Sequence, residues 1–231
     1  MNLYFIILVL ILLSIAAISV YTEIKNKKLL KTVTSPNRGT WSERRMVLKI
    51  LKSGIKSTAI FHDLYLNNGN GKYSQIDLVV ATKVGIVVFE IKEYSGWIFG
   101  TENQRNWTQV LAYGKRKYQF YNPILQNRKH VEDLKKFYHF DGIPFFSMIV
   151  FFGDCEFKNS LDLPSRTFLT KSFNVMDRYN EILQNNQPAK YDNKWDIANL
   201  LKQAVRNGEN SIIREKHTEN IQKLKARYRF D

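Results

Sequence analysis

The sequence is poor in cysteine and in acidic residues. Cys155 is its single cysteine, which excludes an intramolecular disulfide framework and a cysteine-based zinc cluster, so the chain suits a reducing, cytosolic environment. Only 21 Asp and Glu residues stand against 35 Lys and Arg residues in the 231-residue chain, and the net charge is +14. Because that charge attracts polyanions, nucleic acid and anionic lipid are the two candidate partners.

The sequence also lacks internal repeats, low-complexity tracts and a convincing second core. Hydrophobic residues make up 44% of the chain and charged residues 24%. This composition excludes a disordered or repeat-type protein. It is sufficient for one domain of ordinary size with modest appendages.

The apolar residues are concentrated in one segment near the N-terminus. Residues 3–21 run for 19 positions without a charge, and a helix needs about 20 apolar residues to cross a bilayer. We therefore predict a transmembrane anchor over residues 1–22. The alternatives are a buried core helix and a secretory signal peptide cleaved after Ser19, although such a signal has a basic start and an apolar stretch of about 7 to 15 residues.

Basic residues follow this segment directly. Lys25, Lys27, Lys28 and Lys31 are accompanied by a single acidic residue, Glu23, and Lys or Arg beside a span is retained on the cytoplasmic side. The sequence therefore predicts a single-pass protein of the cell membrane whose soluble domain is cytoplasmic. The same lysines would lie against anionic headgroups, which explains part of the net charge without nucleic acid.

Turn-forming residues at 35–39 separate a basic juxtamembrane linker, 23–37, from the folded domain, which is predicted to begin at Arg38. Hydrophobic periodicity and β-branched runs predict an αβββαβ order up to residue 152. Residues 153–231 are predicted to form a mostly helical extension. The predicted elements are helices at 41–52, 124–140, 173–184, 195–206 and 212–227 and strands at 58–66, 73–82, 85–94, 145–152 and 167–170.

Polar residues interrupt the two buried-type strands of a predicted hairpin. Gln75 and Asp77 are two residues apart on one strand, and Glu90 and Lys92 are two residues apart on the next. Side chains at i and i+2 of a strand point to the same face, so Asp77, Glu90 and Lys92 converge if the two pairs share a face. Charges in such strands are costly unless they are paired or bound to a metal.

This set of residues has two interpretations, a metal site and an ordinary ion pair. Two carboxylates with an intervening backbone carbonyl suit Mg²⁺, which takes one or two protein carboxylates and keeps several waters in phosphate chemistry. A nearby ammonium can orient the attacking water and stabilise the charge that develops on a phosphoryl group. The alternative is an ion pair of Lys92 with Asp77 or Glu90 at the exposed end of the hairpin.

The full pattern resembles the nuclease-related domain (NERD) family, which is grouped with the PD-(D/E)xK nucleases. The resemblance implies an α/β fold with an αβββαβ, restriction-endonuclease-like core. It also implies that Asp77 and Glu90 bind Mg²⁺ or Mn²⁺ and that Lys92 is their catalytic partner. The resemblance covers residues 38–152, and its strongest parts are Q-I-D at 75–77, E-I-K at 90–92 and N-P-x-x-Q-N-x-x-H at 122–130.

The resemblance adds Glu43 and Gln126 to the catalytic candidates. Glu43 matches the acidic residue of the family's first helix, although Ser42 stands where the family usually has glycine. Gln126 and His130 match the later helix motif, and their i, i+4 spacing puts them on one helix face. Each also has an ordinary interpretation, because Glu43 can stabilise a helix N-terminus through the macrodipole and the other two can be structural hydrogen-bond partners.

A basic stretch lies beside the predicted active face. Lys115, Arg116 and Lys117 precede three aromatic residues and are predicted to contact nucleic-acid phosphates. Trp97 and Trp107 could stack on bases, but positions in the core or at its rim are the favoured interpretation.

Two functions from different classes follow from these patterns. The first is a membrane-anchored, Mg²⁺-dependent nuclease acting on nucleic acid, with DNA as the expected substrate. The second is a membrane-tethered binding or scaffold protein that retains the nuclease fold, since a fold alone does not decide function. The intact acidic pair with Lys92 favours the enzyme, because carboxylates repel phosphate and would be of no use to a pure binder.

Overall fold

The computed structural model describes residues 3–69 and 71–227, and within them the chain is a mixed α/β protein with six helices and two sheets. The elements are α1 (Leu3–Leu30), α2 (Trp41–Lys52), β1 (Ile60–Asn67), β2 (Tyr73–Thr82), β3 (Gly85–Glu93), β4 (Gly96–Phe99), β5 (Asn106–Leu111), β6 (Arg116–Tyr121), α3 (Pro123–Lys135), β7 (Phe145–Phe152), β8 (Cys155–Phe157), β9 (Thr167–Lys171), α4 (Val175–Asn185), α5 (Lys194–Asn207) and α6 (Ser211–Arg227).

Helix α1 carries the uncharged segment. Mean hydropathy over an 18-residue window of this helix is 3.0, so it is long and apolar enough to cross a membrane. No residue of α1 is buried. This finding contradicts the interpretation of the segment as a buried core helix.

The central sheet has the strand order β1-β2-β3-β7-β9. Strands β1, β2 and β3 are antiparallel, and the two-residue turn of Lys83 and Val84 forms the predicted hairpin between β2 and β3. Gly85 has φ +143, and a Cβ there would collide with the Pro144 carbonyl, so only glycine fits. Strands β3, β7 and β9 are parallel, and α3 lies in the crossover from β3 to β7.

Helices cover both faces of the central sheet. Helices α2 and α4 pack on one face, where Met46 and Ile50 meet strand residues such as Phe89. Helices α3 and α5 pack on the other face, where Leu134 and Leu201 are fully buried. The strands of this sheet are therefore shielded on both sides, which explains why they appear in the sequence as continuous apolar runs.

Most of the predicted elements are confirmed, and the helix predicted at 124–140 is shorter than expected. The helix at 41–52 and the strands at 73–82 and 145–152 have the predicted bounds. Helix α3 ends at Lys135, and a 3-10 turn at Tyr138–Phe140 follows it. The chain leaves the helix axis here because Phe140 and Ile143 turn back into the core under α3.

A second sheet has the order β6-β5-β4-β8. Strands β4 to β6 lie between β3 and α3 in the chain, and β8 follows β7. No strand was predicted between residues 95 and 144. Strand β4 has only four residues and β6 is largely exposed, so neither shows a clear alternation of buried and exposed side chains. The sheet packs through Ile98 and Trp107 against Phe151 of the central sheet.

The expected juxtamembrane linker is joined to the folded domain. Helix α1 continues through residues 23–30, and the side chains of Leu29, Leu30 and Val33 pack against the core that α2 covers. The hydroxyl of Thr34 lies 2.8 Å from Nδ1 of the buried His62. Helix α1 is thus attached to the domain by packing as well as by the chain.

We expect a soluble fragment that begins at Arg38 to be less stable than one that begins at Ile24. The shorter fragment loses three partly buried aliphatic side chains and the partner of His62. At about 1 kcal/mol for each partly buried side chain, the loss is about 3 kcal/mol or more. Urea unfolding followed by tryptophan fluorescence measures the difference.

The matched control is the longer fragment with the substitutions Lys27→Ala and Lys28→Ala. These side chains are exposed, so the control changes the same segment without changing the core. Equal stability of the Arg38 and Ile24 fragments would contradict the packing described above.

Candidate active site

Strand β3 places Glu90 and Lys92 on the face of the central sheet that α3 covers. Both residues share the parity of Ile86 and Val88, which belong to the core under α3. Lys92 Nζ lies 2.6 Å from Glu90 Oε1 and donates a hydrogen bond to Gln126 Oε1 at 3.1 Å. Glu90 is 1% exposed, so its side of the ion pair is shielded from water.

Both members of this pair keep their charge despite burial. Burial raises the pKa of Glu90, but the Lys92 ammonium and the His130 ring outweigh that effect and hold the pKa below its ordinary value. Burial likewise opposes the charge on Lys92, yet the carboxylates of Glu90 and Asp77 hold its pKa above the ordinary value. The site therefore contains a stable ammonium beside a stable carboxylate.

Helix α3 supplies side chains that contact this pair. Gln126 and His130 lie one turn apart on the face turned to the strands. His130 Nε2 is 3.3 Å from Glu90 Oε2, and its Nδ1 is 3.2 Å from Ser74 Oγ on β2. The structure thus brings both residues of the helix motif to the strand site.

Asn122 fixes the start of α3, and sequence analysis gave it no role. Its Oδ1 accepts the Ile124 N–H at 2.9 Å, which makes it the N-cap. An asparagine directly before a proline is a helix-start signal that could have identified it. Its side-chain amide also donates to three carbonyl groups of the preceding loop, those of Thr101, Glu102 and Gln104.

Asn127 ties α3 to the sheet, and sequence analysis gave it no role although it is part of the N-P-x-x-Q-N-x-x-H motif. Its Nδ2 donates to the Val88 carbonyl at 2.9 Å and to Ser147 Oγ at 2.8 Å. These two partners lie on β3 and β7, and Asn127 is fully buried. These bonds fix the position of α3 on the sheet and so hold the neighbouring Gln126 within hydrogen-bond distance of Lys92.

Asp77 lies where the ladder between β2 and β3 ends. The last paired residues are Leu78 and Phe89, and one residue further the Asp77 Oδ2 accepts the Ile91 N–H at 2.7 Å. Burial raises the pKa of Asp77 well above its ordinary value, and the carboxylates of Glu90 and Glu43 raise it further. The structure therefore brings Glu90 and Glu43 close enough to Asp77 for each of them to repel its charge.

Glu43 reaches this group from the first turn of α2. Thr40, the N-cap of this helix, accepts the Glu43 N–H and donates its hydroxyl to Glu43 Oε1 at 2.9 Å. Glu43 Oε2 is 3.3 Å from His62 Nε2. Burial opposes the charge on Glu43, but the bonds from His62 and Thr40 outweigh it and lower the pKa.

His62 and Gly39 position Glu43, and sequence analysis singled out neither. His62 is a buried polar residue in an apolar strand, which is the signal that could have drawn attention to it. Gly39 has φ +63, and a Cβ there would collide with the Glu43 carboxylate and the His62 ring. The closeness of the loop to this pair requires glycine.

Gln75 does not join the cluster that its spacing from Asp77 suggested. Its side-chain amide donates to Asp63 Oδ1 at 3.0 Å, and Arg38 Nε donates to Asp63 Oδ2 at 3.1 Å. Asp63 has φ +54, so β1 is distorted at this point. The face-sharing rule fails for Gln75 because it assumes regular strands.

The chemistry of the donor set fits a hard divalent cation. Asp77 and Glu90 offer carboxylate oxygens, and the repulsion that raises the pKa of Asp77 is the kind a cation relieves. Across residues 3–69 and 71–227, no three His, Cys, Asp or Glu side chains are grouped to hold a metal by themselves. Mg²⁺ does not require such a group, because water supplies its remaining ligands.

The basic stretch lies apart from this cluster, on the second sheet. Lys115 is in the turn before β6, and Arg116 and Lys117 begin that strand, where neighbouring side chains point to opposite faces. All three are exposed. Trp107 is a core residue, 1% exposed, whereas Trp97 is partly exposed and lies beneath the Lys158 ammonium.

Comparison with known proteins agrees with the geometry. A family model described as the nuclease-related domain matches residues 20–152. An uncharacterized protein of Bacillus anthracis is 31% identical over 121 residues, which cover 52% of this chain and 56% of that protein. The chain thus spans about half the length of the curated relative, and no solved structure matches it significantly. Because the family match covers more than half of the sequence and includes every strand-site residue, this chain belongs to the nuclease-related domain (NERD) family.

Proposed function

We propose that this protein is a membrane-anchored, metal-dependent nuclease that hydrolyses nucleic-acid phosphodiesters, with DNA as its substrate. The observation that carries the proposal is the Lys92 ammonium, 2.6 Å from Glu90 and hydrogen-bonded to Gln126, next to a second carboxylate, Asp77, whose pKa is raised. Perturbed carboxylates beside a fixed ammonium are the arrangement that phosphoryl chemistry uses.

We interpret the core as restriction-endonuclease-like. The elements α2, β1, β2, β3, α3 and β7 follow the αβββαβ order, and β4 to β6 are inserted between β3 and α3. The antiparallel strands β1 to β3 and the parallel pair of β3 with β7 support this interpretation.

Asp77 and Glu90 are the residues that would hold Mg²⁺ or Mn²⁺. When bound, the cation would lower the pKa of a coordinated water and polarise the phosphodiester. Lys92 stabilises the negative charge that develops on the phosphoryl oxygens, and Gln126 holds the ammonium in place. Glu43 adds to the negative potential at Asp77 and is kept in position by His62.

The protein's charge supports nucleic acid as the partner. The net charge of +14 attracts a polyanion at long range. We assign phosphate contacts to Lys115, Arg116 and Lys117, whose side chains are exposed on and beside β6. Such contacts carry affinity and salt dependence, not sequence specificity.

Helix α1 is the proposed anchor. Its hydropathy and length suit a single span, and the lysines that follow it assign the domain to the cytoplasm. The anchor would keep the nuclease at the inner surface of the cell membrane.

The second candidate, a tethered nucleic-acid-binding protein without catalysis, is favoured by one observation. Both Glu90 oxygens already lie beside cationic or ring nitrogens of Lys92 and His130, and Asp77 already accepts the Ile91 N–H. If these internal partners are never exchanged for a cation, the fold serves binding alone.

We expect Asp77→Asn or Glu90→Gln to reduce Mg²⁺-dependent cleavage by about two orders of magnitude or more, because the cation loses a charged ligand. Binding of DNA in EDTA should stay the same or become tighter, since each change removes a negative charge from a surface that meets phosphate. Cleavage and fluorescence-anisotropy assays on the full-length protein in detergent measure the two effects.

The matched control is Glu181→Gln, which removes a carboxylate from an ion pair on α4 and should change neither assay. Binding by the wild type without cleavage in Mg²⁺ or Mn²⁺, together with no effect of the acidic substitutions, would establish the binding protein instead.

Asp77→Asn should also raise the melting temperature in EDTA. Because the pKa of Asp77 is raised in the folded state, the fold loses stability as pH rises from the ordinary pKa of aspartate to the raised value, so the gain from Asn grows over that interval. A relief of about 1 kcal/mol shifts the melting temperature by about 2–4 °C. Millimolar Mg²⁺ should stabilise the wild type and leave Asp77→Asn unchanged in differential scanning fluorimetry.

Asp133→Asn is the control with the opposite sign. Burial opposes the charge of Asp133, but bonds from Lys129 and Lys136 lower its pKa to about 2. Its carboxylate therefore stabilises the fold above its unfolded pKa, and Asn should lower the melting temperature at neutral pH. A destabilising Asp77→Asn substitution would contradict the proposed repulsion.

The orientation of the domain can be measured in cells. Protease added to intact cells should spare residues 23–231, because they lie inside, and should digest them after permeabilisation. Digestion in intact cells, or recovery of a secreted form that begins near Val20, would overturn the cytoplasmic assignment.

A further inference from the structure

The second sheet has one face that is turned away from the core cluster of Ile98, Trp107 and Phe151. Val110, which is 7% exposed, is a buried apolar residue that the strand register puts on this face. Trp107 on β5 and Phe120 on β6 are paired and point inward, towards Phe151. Because side chains alternate along a strand, the residues between them point the other way. These outward residues include Trp97 and Phe99 on β4, Asn106 and Thr108 on β5, and Lys117, Gln119 and Tyr121 on β6.

The outward face carries aromatic side chains among polar ones. Phe99 is 37% exposed and Tyr121 is 46% exposed. Trp97 and Phe99 are two residues apart on one strand, so they are separated by about 6.6 Å. Two rings at that distance can each stack on one unpaired base of a single strand. An apolar protein partner would instead require a continuous apolar surface.

The polar groups on this face suit a polyanion with exposed bases. Lys117 pairs with Val110, which in turn pairs with Trp97, so the three residues form one cross-strand row. The Lys158 ammonium lies 4.9 Å from the Trp97 ring centroid. The only acidic neighbour that the structure places in this row, within residues 3–69 and 71–227, is Glu156, and Lys158 neutralises it at 2.6 Å. Amide and hydroxyl groups of Asn106, Thr108 and Gln119 can bond base edges.

The face is directly connected to the candidate active site at both ends. Strand β4 begins four residues after Lys92, and Tyr121, the last residue of β6, lies two residues before α3, which carries Gln126. Tyr94, in the connection from β3 to β4, stacks on Phe120 at 4.2 Å between ring centroids. The sheet that carries this face is therefore joined by short connections to the strand that carries Lys92 and to the helix that carries Gln126.

We propose that the outward face of the second sheet binds single-stranded nucleic acid by stacking unpaired bases on Trp97, Phe99 and Tyr121. This proposal rests on the nuclease function above and narrows its substrate to nucleic acid with a single-stranded segment. A duplex keeps its bases stacked inside, so exposed rings offer it little. Lys117 contacts the backbone of the bound strand.

Fluorescence anisotropy in EDTA tests the face without requiring catalysis. The probes are one labelled oligonucleotide of about 12 nucleotides as single-stranded DNA, as single-stranded RNA and as a DNA duplex. We expect full-length protein in detergent to bind the single strands about tenfold or more tightly than the duplex. Phe99→Ala and Tyr121→Ala should each weaken single-strand binding by about tenfold and leave duplex binding nearly unchanged.

The control variants are Trp195→Ala, which removes an exposed aromatic side chain on α5, and Phe99→Leu, which keeps apolar bulk but removes the flat ring. Trp195→Ala should bind like the wild type, and Phe99→Leu like Phe99→Ala. Circular dichroism verifies that every variant is folded.

Wild-type affinity of the Phe99 and Tyr121 variants for single strands, or an equal affinity of the wild type for duplex, would overturn the proposal and leave the face to a protein partner. That result is distinguishable from failure of the nuclease function, because cleavage in Mg²⁺ is measured separately. Single-strand binding lost with these two side chains supports the proposal whether or not cleavage occurs.

Discussion

The buried carboxylate of Glu90 is the constraint on which the arrangement of this domain depends. An ionised carboxylate removed from water destabilises a fold unless charged or hydrogen-bonding partners compensate for it. Lys92 provides one partner from the same strand, and His130 provides another from α3. His130 contacts Glu90 only if α3 is correctly positioned on the sheet. The N-cap Asn122 fixes the start of the helix, and the buried Asn127 bonds the helix to β3. Much of the polar network between α3 and the central sheet thus stabilises the single charge of Glu90.

The acidic side of the same cluster shows a different balance. Glu43 has partners of its own and a lowered pKa, whereas burial raises the pKa of Asp77 and its two acidic neighbours raise it further. A fold selected for stability alone would not place Asp77 between Glu90 and Glu43. Local electrostatic strain that the remaining structure tolerates is typical of functional sites, where activity and stability conflict. This strain distinguishes the cluster from the isolated surface ion pairs elsewhere in the chain, such as Arg178 with Glu181.

The second sheet and helix α1 both pack against the rest of the domain. Strands β4 to β6 of the sheet begin directly after the strand that carries Lys92 and end directly before the helix that carries Gln126, and β8 follows β7. Any molecule that contacts the sheet is therefore close to the reactive groups. At the other end, Leu29 and Leu30 of α1 pack against the core. The C-terminal end of α1 and the strand site therefore belong to one packed body.

The sequence by itself determined the elements that depend on local patterns. The apolar runs of β7 and of the hairpin strands, the short turn of the hairpin, and the capped, amphipathic helix α2 can be predicted because neighbouring residues encode them. The tertiary structure alone decided which polar groups meet. His62 pairs with Glu43, and Gln75 turns to Asp63 instead of the cluster. The exposed strands of the second sheet also lack a pattern of their own. The physical reason is that a buried polar group takes its partners from whatever packing places beside it, and those partners are distant in the sequence.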